Sequence, residues 1–150
     1  EALATRVGAA TLPALLDPPP RLVVDAIDTV RDKVSLLAAC VRGGIPVVAA
    51  MGAARRRDPL ALRIGRLDEA RACPLARAVR KGLAAAGVAA AGIRCVYSAE
   101  APQAAPNTGD GASPKALGSI ICVTGVFGLL AAWEAIRILL DDGGAGGGRR

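Results

Sequence analysis

The sequence predicts an α/β fold in which helices pack against a mainly parallel sheet. Two apolar, strand-like segments enclose a segment with helical spacing, and a short crossover of this kind joins parallel strands. Apolar residues make up 53% of the chain and aromatic residues only 2%, which favours closely packed helices and strands over an aromatic-rich binding surface. A chain of 150 residues is long enough for one domain with its own core.

The spacing of apolar residues places the first elements. Residues 1–16 predict a weak alanine-rich helix, which the prolines of 17–20 end because proline lacks an amide donor. Residues 21–28, RLVVDAID, predict a buried strand, and residues 45–52, IPVVAAMG, predict a second one. Between them a helix is predicted from Thr29 to the following glycine pair. Its apolar face consists of Val30, Val34, Leu37 and Val41.

The second half predicts two further strands and two helices. Residues 61–67 alternate apolar and polar side chains, as a half-exposed strand does, and residues 93–100 predict another strand. Residues 74–87 predict an amphipathic helix. Residues 101–115, rich in proline and glycine, predict a mobile loop. The last predicted element is a long apolar helix over 118–140.

The chain is basic and contains no histidine. Its formal net charge of +6 and pI near 9.8 suit a phosphate-rich or otherwise acidic partner, although ordinary basic proteins share this balance. The cysteines are far apart, and without histidine they cannot form the usual zinc site. We therefore expect reduced, mostly buried thiols in a reducing compartment. The cysteines are Cys40, Cys73, Cys95 and Cys122.

Two aspartates mark the end of the first predicted strand. Asp25 and Asp28 lie where open parallel sheets bind ligands, beyond the carboxyl ends of the strands. Asp25 has the alternative of bonding to nearby amides, and Asp28 that of capping the following helix. However, Thr29 and Asp32 match a capping box, which would leave Asp28 free. A free carboxylate here suits Mg²⁺, which binds through one or two carboxylates plus phosphate oxygens.

Two clusters of basic residues are candidate contacts for nucleic-acid phosphates. Such contacts contribute salt-dependent affinity and little sequence choice. The alternative is an ordinary solvated, charged surface. The first cluster, after the second strand, is Arg55, Arg56 and Arg57, and the second, on one helix, is Arg77, Arg80 and Lys81.

The long apolar helix has two interpretations. The uncharged run from 116 to 133 reaches the lower edge of the length that spans a bilayer. Glycines dilute its hydrophobicity, and Glu134 and Arg137 interrupt it. A core helix packed through its glycines against the sheet is therefore favoured over membrane contact through 118–140.

Five blocks of sequence carry a family resemblance. VVDAIDTVRDKVSLLAACVRGGIPVV is followed in order by DPLALRIGRL, PLARAVRKGL, CVYSAE and VTGVFGLLAAWEAIRILL. Over residues 21–140 the chain resembles the C-terminal half or more of the tRNA threonylcarbamoyladenosine dehydratases. These belong to the ubiquitin-activating-enzyme-like (ThiF/MoeB-type) adenylyltransferase superfamily. The Asp-Ala-x-Asp segment with a lysine five residues on resembles the superfamily, and CVYSAE with the Asp-Pro and Pro-Leu blocks resembles the tRNA branch.

The resemblance implies a Rossmann-like doubly wound sheet and an enzyme that uses ATP and Mg²⁺. The family adenylates the carboxylate of the threonylcarbamoyl group on a tRNA adenosine and closes it into a cyclic form with net loss of water. Matched by position, Asp28 would be the catalytic and metal-binding residue, and Asp25 and Lys33 would belong to the same nucleotide site. Lys33 has the alternative of being solvated. The implied partners are tRNA and, for the full-length protein, a second copy in a homodimer. The implied localisation is cytoplasmic, with an organelle or membrane association as the alternative.

The chain departs from the family pattern in three places, one of which is Cys73, where the family usually has Asp before Pro-Leu. It contains no G-x-G-x-x-G loop, so we expect an incomplete sheet without its N-terminal nucleotide-loop unit, and a fragment that is inactive alone. MGAARRRDP stands where the family has a glycine-rich turn. We therefore expect a remnant or linker at 1–20, the C-terminal part of an ATP-binding domain at 21–140, and a disordered glycine-rich tail at 141–150. The alternatives are a noncatalytic α/β binding module and another sulfur-carrier adenylyltransferase.

Overall fold

A computed structural model describes residues 2–104 and 118–144 of the chain. Within these residues the strands are β1 (Val23–Asp25), β2 (Val47–Ala50), β3 (Leu62–Arg66) and β4 (Arg94–Ser98). The α-helices there are α1 (Leu12–Leu15), α2 (Val30–Arg42), α3 (Pro74–Ala85) and α4 (Ile121–Gly144). Short 3₁₀ helices, Pro59–Ala61 and Ala90–Gly92, precede β3 and β4.

The strands form one mixed sheet in the order β1-β2-β4-β3. β1, β2 and β4 are parallel, with Val24 opposite Val48 and Ala49 opposite Cys95. β3 pairs antiparallel with β4 at one edge. The parallel pairing of β1 and β2, predicted from the crossover helix between them, is therefore confirmed.

Helices cover both faces of the sheet. Alternate side chains of a strand point to opposite faces. Val47 and Ala49 accordingly pack in the core with α2 and α3, whereas Val48 packs with α4. Leu37 of α2 and Val79 of α3 are fully buried in the first of these cores. This layering confirms the predicted α/β class with helices on both sides of a small Rossmann-like sheet.

α2 and α3 approach each other closely at a glycine. A Cβ built on Gly82 would lie 2.7 Å from Cγ2 of Val34, which is well inside van der Waals contact. An alanine at this position therefore requires the Val34 side chain to shift or the two helices to move apart. The absence of a side chain at Gly82 thus allows α2 and α3 to pack closely.

The predicted helix at 1–16 is only a single turn, Leu12–Leu15. The hydroxyl of Thr11 lies within hydrogen-bonding distance of the carbonyls of Arg6 and Gly8. Such local bonds from a threonine side chain compete with the helical pattern, which explains the shorter helix.

Two other boundaries also differ from the prediction. The strand expected over 21–28 ends at Asp25, because the Asp25 carboxylate accepts a hydrogen bond from the Ile27 amide and turns the chain. The last helix, expected over 118–140, begins at Ile121 and continues into the first residues of the predicted tail.

Parts of two predicted segments fall on residues that the structure does not describe. Residues 105–115 of the expected mobile loop lie outside the described residues, and so do residues 145–150 of the expected glycine-rich tail.

One face of α4 is buried and the opposite face is apolar and exposed. By length and composition, Ile121–Asp141 could cross a bilayer. Its most apolar 18-residue stretch has a mean hydropathy of 1.7, and 28% of that stretch is buried in the structure. The buried side packs on the sheet through Val123 and Phe127. Large apolar side chains repeat on the exposed side at spacings of four, three and four. This exposed stripe consists of Leu129, Trp133, Ile136 and Leu140.

Candidate functional site

A cleft opens at the carboxyl ends of β1 and β2. Its volume is about 560 Å³, a size typical of small-molecule sites, and its position is the one at which open parallel sheets bind ligands. Its walls come from the segments after both strands and from the starts of α3 and α4. The lining includes Asp28, Met51, Arg55, Arg56, Cys73 and Thr124. Two smaller depressions, of about 410 and 450 Å³, are lined mainly by the N-terminal segment and α2.

Asp28 is exposed and lines the cleft just beyond β1. Thr29 precedes α2, as predicted, but its side chain makes no capping bond, and its hydroxyl lies 3.4 Å from Oδ1 of Asp28. The predicted capping box is wrong, because Asp32 instead pairs with Arg6 at 3.0 Å and Arg31 at 3.1 Å. Hydrogen bonds from these two arginines hold the pKa of Asp32 below its ordinary value. Asp28 therefore lines the cleft without capping the helix.

Asp25 and Lys33 form a buried ion pair. Both side chains are 0% exposed, and Nζ of Lys33 lies 2.7 Å from Oδ2 of Asp25. Nζ also donates to the carbonyls of Ile27 and Ala50, each at 2.9 Å. Nζ of Lys33 directs its hydrogen bonds to these carbonyls. Oδ2 of Asp25 is therefore compensated by the lysine charge but accepts no hydrogen bond from the described residues. The solvated alternative for Lys33 is therefore wrong.

This ion pair supports the wall of the cleft. Ile27 follows β1 and Ala50 ends β2, and both residues line the cleft. Lys33 reaches both carbonyls from the first turn of α2, so one side chain ties together two strands and a helix. Asp25 and Lys33 themselves lie behind this wall and do not line the cleft. Their direct contact with a nucleotide stays a prediction.

The three arginines after β2 have different surroundings. Arg56 is 1% exposed, and its Nη2 donates to the carbonyl of Ala72 at 3.1 Å. Arg55 is half-buried and has a φ of 58°, in the left-handed region. Arg57 is exposed. The sequence predicts that all three arginines lie on an open basic surface. Arg56 is instead buried, and of the three only Arg57 is fully exposed.

The basic residues of α3 divide in a similar way. Arg80 Nη1 donates to the carbonyls of Leu67 at 3.1 Å and Ala70 at 2.8 Å, and so it holds the loop before α3. Arg77 and Lys81 are exposed and lie one turn apart on the helix. These two remain candidate contacts for phosphates, whereas Arg80 is already engaged within the fold.

Glu100, which the sequence pattern did not single out, shapes the arginine loop. Its Oε2 accepts hydrogen bonds from the amides of Arg57 at 3.0 Å and Asp58 at 3.1 Å. Gln103 donates to Oε1 at 3.1 Å. The two amide bonds in particular hold the pKa of Glu100 below its ordinary value. The available signal was the position of this acid two residues after β4.

Most of the cysteines are buried, as predicted. Cys40, Cys73 and Cys95 are buried, Cys122 is exposed, and all four thiols are free. Burial raises the pKa of Cys40 to about 11 and that of Cys95 to about 12, so neither is a thiolate nucleophile at neutral pH. Residues 2–104 and 118–144 contain no cluster of three His, Cys, Asp or Glu side chains that could hold a metal ion.

Comparison with curated proteins finds tRNA threonylcarbamoyladenosine dehydratases from yeast and bacteria. The chain is 42% identical over 83 residues to tRNA threonylcarbamoyladenosine dehydratase 2 of Saccharomyces cerevisiae, which covers 55% of this chain and 18% of that protein. It is 32% identical over 139 residues to the Escherichia coli dehydratase, which covers 79% of this chain and 51% of that protein. The chain thus spans about half or less of the length of these relatives. No protein-family model matches it.

Solved structures give the same relationship. The E. coli tRNA N6-threonylcarbamoyladenosine dehydratase in complex with AMP superposes with a TM-score of 0.84 at 29% identity, over 95% of this chain and 58% of that one. The same enzyme in complex with ATP superposes with a TM-score of 0.84 at 28% identity, over 97% and 58%. The match in fold therefore extends over nearly the whole of this chain.

Proposed function

We propose that this chain, a homologue of part of the tRNA threonylcarbamoyladenosine dehydratases, contributes a substrate and Mg²⁺-ATP cleft to an ATP-dependent tRNA-modifying enzyme. The reaction adenylates the threonylcarbamoyl carboxylate on a tRNA adenosine and cyclises it with net loss of water. The observation that carries the proposal is the exposed Asp28 carboxylate in a cleft at the carboxyl ends of two parallel strands. Likeness to structures with AMP and ATP supports a nucleotide as the ligand.

The residues of the cleft fit Mg²⁺ and ATP. Asp28 offers hard carboxylate oxygens, which Mg²⁺ takes together with phosphate oxygens and water. Arg55 and Arg56 line the same cleft and add positive charge that suits phosphate or carboxylate groups. When bound, Mg²⁺-ATP supplies the AMP group that converts a poor leaving oxygen into a good one.

The chain's own residues position the reactants. The buried pair of Asp25 and Lys33 makes the cleft wall rigid through Ile27 and Ala50, and Asp28 follows directly in this fixed segment. A fixed wall matters because holding reacting groups in the correct geometry supplies a large part of an enzymatic rate. Asp28 contributes a ligand oxygen, and the arginines neutralise negative charge that the reactants bring.

Exposed basic residues would meet the tRNA. Arg57, Arg77 and Lys81 are exposed, and in the described part of the chain none of their charged side-chain groups has a carboxylate oxygen within 4.0 Å. Free surface cations of this kind bind backbone phosphates with salt-dependent affinity. They therefore provide affinity and orientation, while the choice of nucleoside is left to the cleft.

The exposed stripe of α4 bears on two further predictions, a homodimer and a contact with a membrane. In a homodimer it would be covered by a second copy, whereas in a membrane-associated protein it would contact lipid. One side of α4 already packs against the sheet, which supports the folded, core-packed interpretation over a bilayer span. Both the homodimer and the membrane contact stay predictions.

The test of the proposed function is Asp28→Asn, introduced into the gene that encodes this chain at its own locus. Removing the charged metal ligand is expected to lower the cyclic threonylcarbamoyladenosine content of bulk tRNA by about 100-fold or more, since loss of one key electrostatic group typically has this effect. Mass spectrometry of nucleosides from digested tRNA measures the change.

Asp68→Asn is the matched control. It removes the same charge from a partly exposed side chain whose partner is Arg66, outside the cleft. We expect it to leave the cyclic nucleoside at the wild-type level. Normal cyclic content in the Asp28→Asn strain, with the protein present at its normal amount, would refute the proposed role of the cleft.

A further inference from the structure

Arg56 is a buried cation whose hydrogen-bonding capacity is mostly unused. It lines the cleft although it is only 1% exposed. Nη2 donates to the carbonyl of Ala72 at 3.1 Å. Nε and Nη1 are shielded from solvent and have no hydrogen-bond partner in the described part of the chain. A guanidinium has five N–H donors, and a buried donor without a partner lowers stability.

Within residues 2–104 and 118–141 no carboxylate forms an ion pair with Arg56, and Glu100 interacts with its charge only at longer range. An ion pair requires a side-chain nitrogen and a carboxylate oxygen within 4.0 Å of each other. No described acid comes this close to the guanidinium of Arg55 or Arg56. The other buried charged side chains there all have an opposite charge in contact, and these are Asp25, Asp32, Lys33 and Glu134. A buried charge with only long-range compensation is costly, so Arg56 suits a partner from beyond the described residues, such as an anion bound in the cleft.

Arg55 adds a second unsatisfied guanidinium to the same corner. Its amide donates to the carbonyl of Gly118 and its carbonyl accepts from the amide of Gln103, both at 2.9 Å. These bonds hold the backbone of Arg55 at a φ of 58°. Nε of Arg55 is shielded and has no partner among the described residues. Two consecutive arginines thus line the cleft, and each has a shielded Nε without a partner among the described residues.

We propose that Arg55 and Arg56 form an oxyanion-binding subsite of the cleft that contains Asp28. The subsite takes a carboxylate or a phosphate group, because guanidinium groups bind both through charge-assisted hydrogen bonds. Binding requires the Arg56 side chain to turn toward the cavity. Its Nε and Nη1 donors, which are shielded and unpaired within the described residues, then donate to the anion. The identity of the natural ligand rests on the proposed function, which supplies the threonylcarbamoyl carboxylate and the nucleotide phosphates as the two sources.

The subsite positions its ligand and does not react with it. An arginine side chain stays protonated in proteins, so neither residue accepts or donates a proton to the reactants. Their contribution is to orient the anion and to neutralise its charge next to Asp28.

The test follows the arginine Nε–Hε signals of the chain by NMR while sodium phosphate or N-carbamoyl-L-threonine is added at constant ionic strength. We expect saturable shifts of the Arg55 and Arg56 signals. Arg56→Gln is expected to weaken binding by about tenfold or more, and Arg56→Lys, which keeps the charge without the fork, is expected to lie between. Arg21→Gln is the matched control. It removes the same charge from a residue that precedes the N-terminal end of β1 and does not line the cleft.

Each outcome decides for or against the subsite. Saturation by the carboxylate alone supports it with the acyl substrate as ligand, saturation by phosphate alone supports it with the nucleotide as ligand, and saturation by both supports it for either. Absence of saturable shifts with both probes overturns it. Equal binding by folded Arg56→Gln and Arg21→Gln, with folding checked by circular dichroism, also overturns it. If Arg56→Gln unfolds, Arg56→Lys and the wild-type titration decide.

The binding experiment is independent of turnover. Anion binding at Arg56 together with a normal level of cyclic nucleoside in the Asp28→Asn strain refutes the proposed function and retains the subsite. The opposite pair of results refutes the subsite and retains the proposed function.

Discussion

Lys33 and Arg56 are both buried cations next to the same cleft, but their surroundings are opposite. Lys33 has a carboxylate at 2.7 Å and two carbonyls at 2.9 Å. Arg56 has one carbonyl at 3.1 Å and, in the described residues, no carboxylate within 4.0 Å. A buried charge is tolerated when its partners replace the lost water. Lys33 meets this condition within the described residues, whereas Arg56 does not.

The difference separates scaffold from site. The Lys33 pair needs nothing from outside, and its bonds to Ile27 and Ala50 fix the positions of groups that line the cleft. Arg56 has no such set of partners among the described residues. Its unused hydrogen-bond donors can therefore contribute free energy to the binding of an anion. Substitutions that remove each charge should therefore affect stability in different ways.

Lys33→Met is expected to give the largest effect. It leaves Asp25 buried without its cation, and breaking a buried pair in this way costs about 3–5 kcal/mol in the free energy of unfolding. Urea denaturation followed by circular dichroism measures the loss. The double variant Lys33→Met with Asp25→Asn is expected to recover part of it, since it removes the orphaned charge. A loss below about 1 kcal/mol in the single variant would contradict the scaffold role.

Glu134 extends the comparison to the opposite face of the sheet. Its carboxylate contacts Arg94 at 2.6 Å and Arg137 at 2.9 Å and is 2% exposed. Hydrogen bonding from Arg137, with a further bond from Arg94, holds its pKa below the ordinary value of 4.5. Its charged form is therefore favoured in the folded state, and the chain gains stability from it above pH 4.5.

Glu134→Gln is expected to lower the free energy of unfolding by about 2 kcal/mol at pH 7, the scale of hydrogen bonds to a charged group. The unfolded chain takes up the proton first as the pH falls, so the advantage of the wild type should shrink below pH 4.5 and vanish below the lowered pKa. Denaturation midpoints measured for both proteins between pH 7 and pH 2.5 test this. A difference that does not change with pH would contradict an electrostatic origin.

Arg55→Gly should give the smallest effect, with the opposite sign. Glycine adopts a positive φ without the steric penalty of a side chain, so we expect a gain of about 1 kcal/mol from the relieved backbone and the removed guanidinium. Thermal unfolding measures it. Arg57→Gly is the matched control, because among the described non-glycine residues only Arg55 has a positive φ. Equal changes in the two variants would show that strain at Arg55 is not the cause.

The sequence predicted most of the fold but less of the site. Helical and strand periodicities gave α2, α3, β2 and β4 to within a few residues, since burying one face of an element imposes its period. The position of Asp28 at the cleft followed from the strand that precedes it. The burial of Lys33 and Arg56 did not follow, because their neighbours on the chain resemble those of exposed cations.

What the sequence by itself determined is the order of strands and helices, the parallel pairing of β1 with β2, and the presence of an acid where a strand meets a helix. Only the tertiary structure decided which charges are paired. The partners lie far apart along the chain, as with Lys33 and Ala50, Arg56 and Ala72, or Arg94 and Glu134. Periodicity reports on which face of its own element a residue lies, whereas compensation of a buried charge depends on distances between elements, and these exist only once the layers have packed.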